Sequence, residues 1–205
     1  AEWLKNIKEV VADKTPTYLV VQHMEPDHSG SIMHFVKEYP NAKIVSSAKA
    51  FVMMKNFFGT AFADSRIVVG DGDTLSLGNH VLQFFTAPMV HWPEVMVTFD
   101  KTTGTLFSAD AFGSFGSLDG KLFNDEVNFD RDWIDDARRY FTNIVGKYGP
   151  QVQNLLKKAS NTFLDSIPNF LATHIAAKAL YTLNLPGIST FTLSFLSVTF
   201  TLKST

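Results

Sequence analysis

The sequence predicts a layered α+β fold, and three observations carry the prediction. Apolar, β-branched runs alternate with helically spaced stretches up to residue 59. Strand patterns divided by tight turns then fill 66–108, and helical patterns return at 132–147 and 150–158. With 205 residues, 45% of them hydrophobic and 19 of them Phe, the chain can bury one good core or at most two small ones.

The elements follow in order. Leu4, Ile7, Val10 and Val11 recur at helical spacing and predict a helix over 2–13. Tyr18-Leu19-Val20-Val21 predicts a buried strand over 17–22. The stretch Gln22 to Gly30 reads as a shaped loop, because Pro26 fixes φ and disfavours helix at Glu25. Gly30 allows a tight backbone there, and Ser29 is placed to cap a helix over 30–38. Lys43–Ser46 is a short strand, followed by a helix from Ser47 to Phe58 that Gly59 ends. Arg66–Val69, Leu75–Leu77 and Val81–Phe85 are strands, and Val95–Phe99 pairs with Thr105–Ser108 as a hairpin. Residues 111–128 form a Gly- and Phe-rich covering loop. After Ser160 only Asp165, Lys178 and Lys203 are charged, so the chain divides into a domain over 1–160 and a divergent tail over 161–205. Thr190 to Leu202 alternates Thr or Ser with Phe, Leu or Val, as a strand would.

Composition excludes several classes. A net charge of -2 and a pI near 6.3 give no basis for binding nucleic acid or an anionic membrane. No run has the length of a membrane span, and the N-terminus lacks the apolar core of a signal peptide. The absence of Cys removes disulfides, Cys-ligated zinc, iron–sulfur clusters and thiol nucleophiles, and it suits a reducing cytoplasm.

Chemistry concentrates in Gln22-His23-Met24-Glu25-Pro26-Asp27-His28-Ser29-Gly30, where two imidazoles and two carboxylates leave a strand end together. His91, in Ala87-Pro88-Met89-Val90-His91-Trp92-Pro93, and Asp110 stand at two further strand exits. Adjacent strand ends of a layered fold converge on one edge, so these groups can meet. Four ligand-type side chains on one constrained loop suit two ions rather than one, and a central carboxylate such as Asp110 can bridge them. Mixed imidazole and carboxylate suits iron, manganese or zinc, with the carboxylates leaning toward oxidised iron.

His23-x-Glu25-x-Asp27-His28-Ser29-Gly30, His91-Trp92-Pro93 and Ser108-x-Asp110-Ala111-Phe112 resemble the motifs of flavodiiron proteins. The turn Gly72-Asp73-Thr74-Leu75-Ser76-Leu77-Gly78 is similar to that superfamily as well. The resemblance implies an αββα sandwich of the metallo-β-lactamase type, incomplete here because the family's first strands have no counterpart upstream of residue 2. It also implies a centre of two iron ions. His23, Glu25 and His91 would hold one, Asp27 and His28 the other, and Asp110 would bridge. Glu25 stands where hydrolytic relatives carry a second His, which marks the di-iron branch. The family's further His, in a Pro-Ser-His-Gly type loop, has no match, and His174 is the one candidate for that place.

The resemblance further implies reduction of oxygen to water or nitric oxide to nitrous oxide, in a homo-oligomer. A flavodoxin-like or rubredoxin-type donor would supply electrons. This sequence shows no flavodoxin-like domain, so FMN is expected only from a partner domain or subunit, with Trp92 as a wall that could face the flavin. Phe112 and Phe115 supply an apolar cover. Two other readings compete: a dinuclear zinc hydrolase of the same superfamily, and a non-catalytic remnant. Plainer roles are expected elsewhere. His34 and His80 should lie on the surface, and Met53, Met54, Phe57 and Phe58 in the core. Asp71 and Asp73 should serve a turn, and the acidic run from Asp125 to Asp136 should be a solvated face.

Overall fold

The computed structural model describes residues 2–116 and 126–162 and the short strands 174–175, 191–195 and 198–202, with side chains described for 2–116 and 126–159. Helix α1 (Glu2–Val11) leads into strand β1 (Tyr18–Val21), the helical turn α2 (Pro26–Ser29) and helix α3 (Ile32–Glu38). Strand β2 (Lys43–Ser46), helix α4 (Ala48–Phe58) and strand β3 (Arg66–Val68) follow. Strands β4 (Thr74–Ser76), β5 (Val81–Thr86), β6 (Met96–Asp100) and β7 (Thr105–Phe107) make an antiparallel meander. Beyond it come β8 (Gly113–Ser114), α5 (Phe129–Asp132), α6 (Ile134–Tyr140), α7 (Gly149–Thr162), β9 (His174–Ile175), β10 (Phe191–Phe195) and β11 (Val198–Leu202).

Two sheets result, ordered β10-β11-β1-β2-β3 and β4-β5-β6-β7. Alternation along each strand assigns its side chains to different cores. Leu19, Val21 and Ile44 pack with Ile7 of α1, Phe35 of α3 and Phe51 of α4. Val20 and Val45 point the other way and meet Leu82, Phe84 and Met96 of the second sheet. Phe85, Val97 and Phe99 then face outward and pack against Val152, Leu155 and Ala159 of α7. Three cores separate four layers, which is the αββα arrangement. Each large side chain fully buried in them contributes about 2–3 kcal/mol.

Local signals explain the best-defined helix. Ser47 accepts a hydrogen bond from the Ala50 N–H and caps α4, and Gly59 ends it with φ 76°, a backbone state open to glycine. Two expectations fail here. His80 is buried: its Nδ1 lies 2.6 Å from Asp100 Oδ2, because the Thr102–Thr103 turn folds over it. Phe57 is 47% exposed on the outer face of α4, whereas Met54 is fully buried. His34 is exposed as expected. Asp73 closes its turn onto the Gly70 N–H, but Asp71 reaches further, accepting from Thr86 and from Lys158 Nζ on α7. The predicted strand-like alternation of the tail appears as β10 and β11, with β11 antiparallel to β1 and Leu19 opposite Phe200. Among the described residues no helix is long and apolar enough to cross a membrane.

Candidate metal centre

The main ligand stretch leaves β1 extended and then turns once as helix. Glu25 adopts φ -56° and ψ 141°, the extended state that a following proline imposes. Pro26 then takes the first helical position, where its missing N–H costs nothing, so Pro26–Ser29 is a helical turn rather than the expected loop. The turn swings His28 inward. Ser29 does not cap α3; its Oγ donates to the Met24 carbonyl at 2.9 Å, and Ser31 occupies the cap position without a side-chain bond. Gly30 has an ordinary φ of -59° but lies so close to the Pro26 carbonyl that a Cβ would come within 2.8 Å.

Two other strand ends deliver the remaining groups. The loop after β5 carries His91 and passes through Met89 at φ 64°. The 3₁₀ turn Ala109–Phe112 after β7 carries Asp110, directly behind Ala109 at φ 52°. A non-glycine residue in the left-handed region costs about 1–3 kcal/mol, and two of the four such residues among the described ones, Met89 and Ala109, stand within two residues of a ligand-type side chain.

The three segments converge. Asp110 Oδ2 lies 3.1 Å from His28 Nε2, 3.3 Å from His91 Nε2 and 3.5 Å from His23 Nε2. Glu25 Oε2 lies 3.2 Å from His23 Nε2 and 3.1 Å from His91 Nε2. One donor atom each from His23, Glu25, His91 and Asp110 falls within 4.8 Å of the others, and Glu25, Asp27 and His28 form a second such group. Glu25 belongs to both groups, while Asp110 touches imidazoles of both. Depth differs between them: His23 is fully buried, whereas the Asp27 side chain is 67% exposed at the mouth. So many oxygen and nitrogen donors aimed at one small space fit cations, since without one the carboxylates repel each other.

Three neighbours frame the cluster. The Trp92 ring stands edge-on to His23 at 5.3 Å and walls one side. Glu94 accepts from Met24 N–H at 2.8 Å through Oε1, and the same oxygen lies 2.7 Å from His23 Nδ1. Burial pushes the Glu94 carboxyl up, but His23 and the Met24 N–H outweigh it and hold the group below the usual carboxylate range. Tyr140 on α6 is buried with its hydroxyl bonded to Asp110, and burial, then that carboxylate, drives the phenol upward and keeps it neutral. His91 is raised above its ordinary value by its hydrogen bond to Asp110, with burial opposing and Glu25 adding.

Sequence reasoning missed Glu94 and Tyr140. Glu94 had a signal, an acid directly after His91-Trp92-Pro93, whereas Tyr140 offered none at all. Phe112 packs partly buried in the outer core, and Phe115 meets Tyr140 edge to face at 5.1 Å, beside the cluster. His174 pairs its backbone with Gly113, three residues beyond Asp110, and its side chain lies outside the described residues.

Comparison with known proteins adds a family. The pattern described as "ODP family beta lactamase" matches residues 1–148. A putative diflavin flavoprotein A 1 from Nostoc is 30% identical over 80% of this chain and 28% of its own length. An anaerobic nitric oxide reductase flavorubredoxin from Salmonella arizonae is 31% identical over 76% of this chain and 33% of its own. Among solved structures, rubredoxin oxygen:oxidoreductase from Desulfovibrio gigas superposes with a TM-score of 0.73 at 30% identity, covering 84% of this chain and 42% of that one. The chain thus spans about a third of the curated relatives it matches.

Proposed function

The chain belongs to the ODP beta-lactamase family of flavodiiron proteins, and on that premise we propose that it is a di-iron oxidoreductase domain. Its substrates are oxygen, reduced to water, or nitric oxide, reduced to nitrous oxide, and its electrons arrive through FMN on a partner domain or subunit. The Salmonella relative is named a nitric oxide reductase and the Desulfovibrio one an oxygen:oxidoreductase, which supports both gases. One observation carries the reading: a single oxygen of Asp110 within 3.5 Å of three imidazoles, flanked by Glu25 and Asp27.

His23, Glu25 and His91 would hold the deeper ion, Asp27 and His28 the outer one, and Asp110 both. His174 is proposed as a further ligand on the His28 side, supported by its backbone place beside Gly113. Residues 1–160 are proposed as the metal-holding domain, with 161–205 completing its first sheet through β11. When bound, two adjacent ferrous ions supply two electrons together and room for two substrate atoms. The chain's own residues prepare that place. Trp92 keeps water from the His23 side, and the neutral Tyr140 hydroxyl donates to Asp110, steadying a carboxylate that several groups share. Asp27 leaves the outer side open for substrate and for electrons from a rubredoxin-type or flavodoxin-like donor. We propose a homo-oligomer in which Trp92 faces a neighbouring flavin, working in a reducing cytoplasm.

Anaerobic expression, elemental analysis and reaction of the reduced protein with each gas test the proposal. About two irons per chain, oxidised by one gas or both, are expected. Two zinc ions with ester or phosphodiester hydrolysis would establish the hydrolase reading instead. Failure to retain metal would leave the remnant.

A further inference from the structure

We propose that Glu94 is a positioning residue of the metal centre: it fixes the proton of His23 on Nδ1 and so presents Nε2 as the metal-binding nitrogen. This deepens the proposed function and rests on its placing a metal at His23. Once a cation occupies the space between Glu25 and Asp110, one tautomer is consistent with the geometry. Glu94 Oε1 sits 2.7 Å from His23 Nδ1, and Nε2 faces Glu25 and Asp110 at 3.2 and 3.5 Å. A proton on Nε2 would bring the Nδ1 lone pair against a carboxylate oxygen at hydrogen-bond distance, which is repulsive. Glu94 is itself held on two sides. Its Oε1 takes the Met24 N–H, and its carbonyl takes the hydroxyl of Ser47, the cap of α4.

A purely structural carboxylate would be expected to satisfy both oxygens, as Asp100 does with His80, Thr103 and the Thr102 N–H. Glu94 is 1% exposed, and its Oε2 has no hydrogen-bond partner. Burying a half-satisfied carboxylate costs stability, and the gain falls on the metal. A carboxylate behind a ligating imidazole orients the ring and raises its basicity, typically strengthening metal binding 10–100-fold.

Cobalt(II) titration of the apo-protein, followed by visible absorption, compares wild type with E94Q and E94D. E94Q should weaken one of two binding steps by about 10–100-fold while the apo melting temperature moves by less than about 3 °C. E94D should restore part of the affinity. Nitrogen-15 spectra of the wild-type apo-protein should show His23 protonated at Nδ1, a readout that needs no variant to fold. Wild-type cobalt affinity in E94Q, or a His23 whose Nδ1 carries no proton, would overturn the proposal. Cobalt affinity and tautomer do not depend on the native metal, so zinc with hydrolysis would end the oxidoreductase reading and leave this one standing.

Discussion

The two ends of the second sheet each bury a histidine against an acid, and they do so for different reasons. At the far end, His80 meets Asp100 at 2.6 Å, and Asp100 also takes the Thr103 hydroxyl and the Thr102 N–H. Every charge there has a near partner, and the group closes on itself. At the near end, three imidazole Nε2 atoms crowd one oxygen of Asp110 while Glu25 and Asp27 add negative charge. That cluster offers many donors converging on one small space, the arrangement that holds cations. Convergence of several donors on one point, rather than burial of a histidine–acid pair, distinguishes a metal site from a structural pin.

Breaking one end should leave the other intact. Asp110→Asn keeps an acceptor for Tyr140 but removes the shared charge, so metal content should fall from about two ions per chain to below one. Elemental analysis reads this directly. His80→Ala should act the opposite way. It leaves Asp100 buried without its main partner and should cost about 3 kcal/mol, seen as a melting temperature about 6–10 °C lower, with metal content unchanged.

Smaller changes sharpen the contrast. Tyr140→Phe removes one buried hydroxyl bond and should cost about 1 kcal/mol. Metal content should persist while the visible spectrum of the cobalt-loaded protein shifts, because Asp110 loses a donor. Lys158→Ala probes a contact outside both clusters, the pin from α7 to Asp71 and Thr86. With both side chains half-buried, its loss should cost about 1 kcal/mol. Burial raises the Asp71 carboxyl, but bonds from Lys158 and Thr86 outweigh it and leave the group lowered. Its contribution is therefore present above the ordinary aspartate value and lost as pH falls through the lowered one. Acid unfolding curves of wild type and K158A should begin to approach each other near the ordinary aspartate value of about 4 and meet only below the lowered Asp71 value.

What the sequence made legible follows from range. Ser47 and Gly59 act within one helix, so their roles could be read locally; apolar runs and strand patterns predicted a layered α+β fold, and the αββα order came from the resemblance. His23, Glu25, Asp27 and His28 were legible because four ligand-type side chains in six residues are rare. Pro26 misled, since the same ring that disfavours helix before it starts a helical turn well. His80 looked like a turn residue, and only the fold of Thr102 and Thr103 over it shows otherwise. Glu94 and Tyr140 act on residues 71 and 30 positions away, a distance no local pattern encodes.

Iron K-edge X-ray absorption on the anaerobically loaded protein tests the central claim most directly. The account predicts mixed nitrogen and oxygen ligation with an iron–iron vector of roughly 3.5–4 Å. A single iron with no metal neighbour at that distance would contradict it.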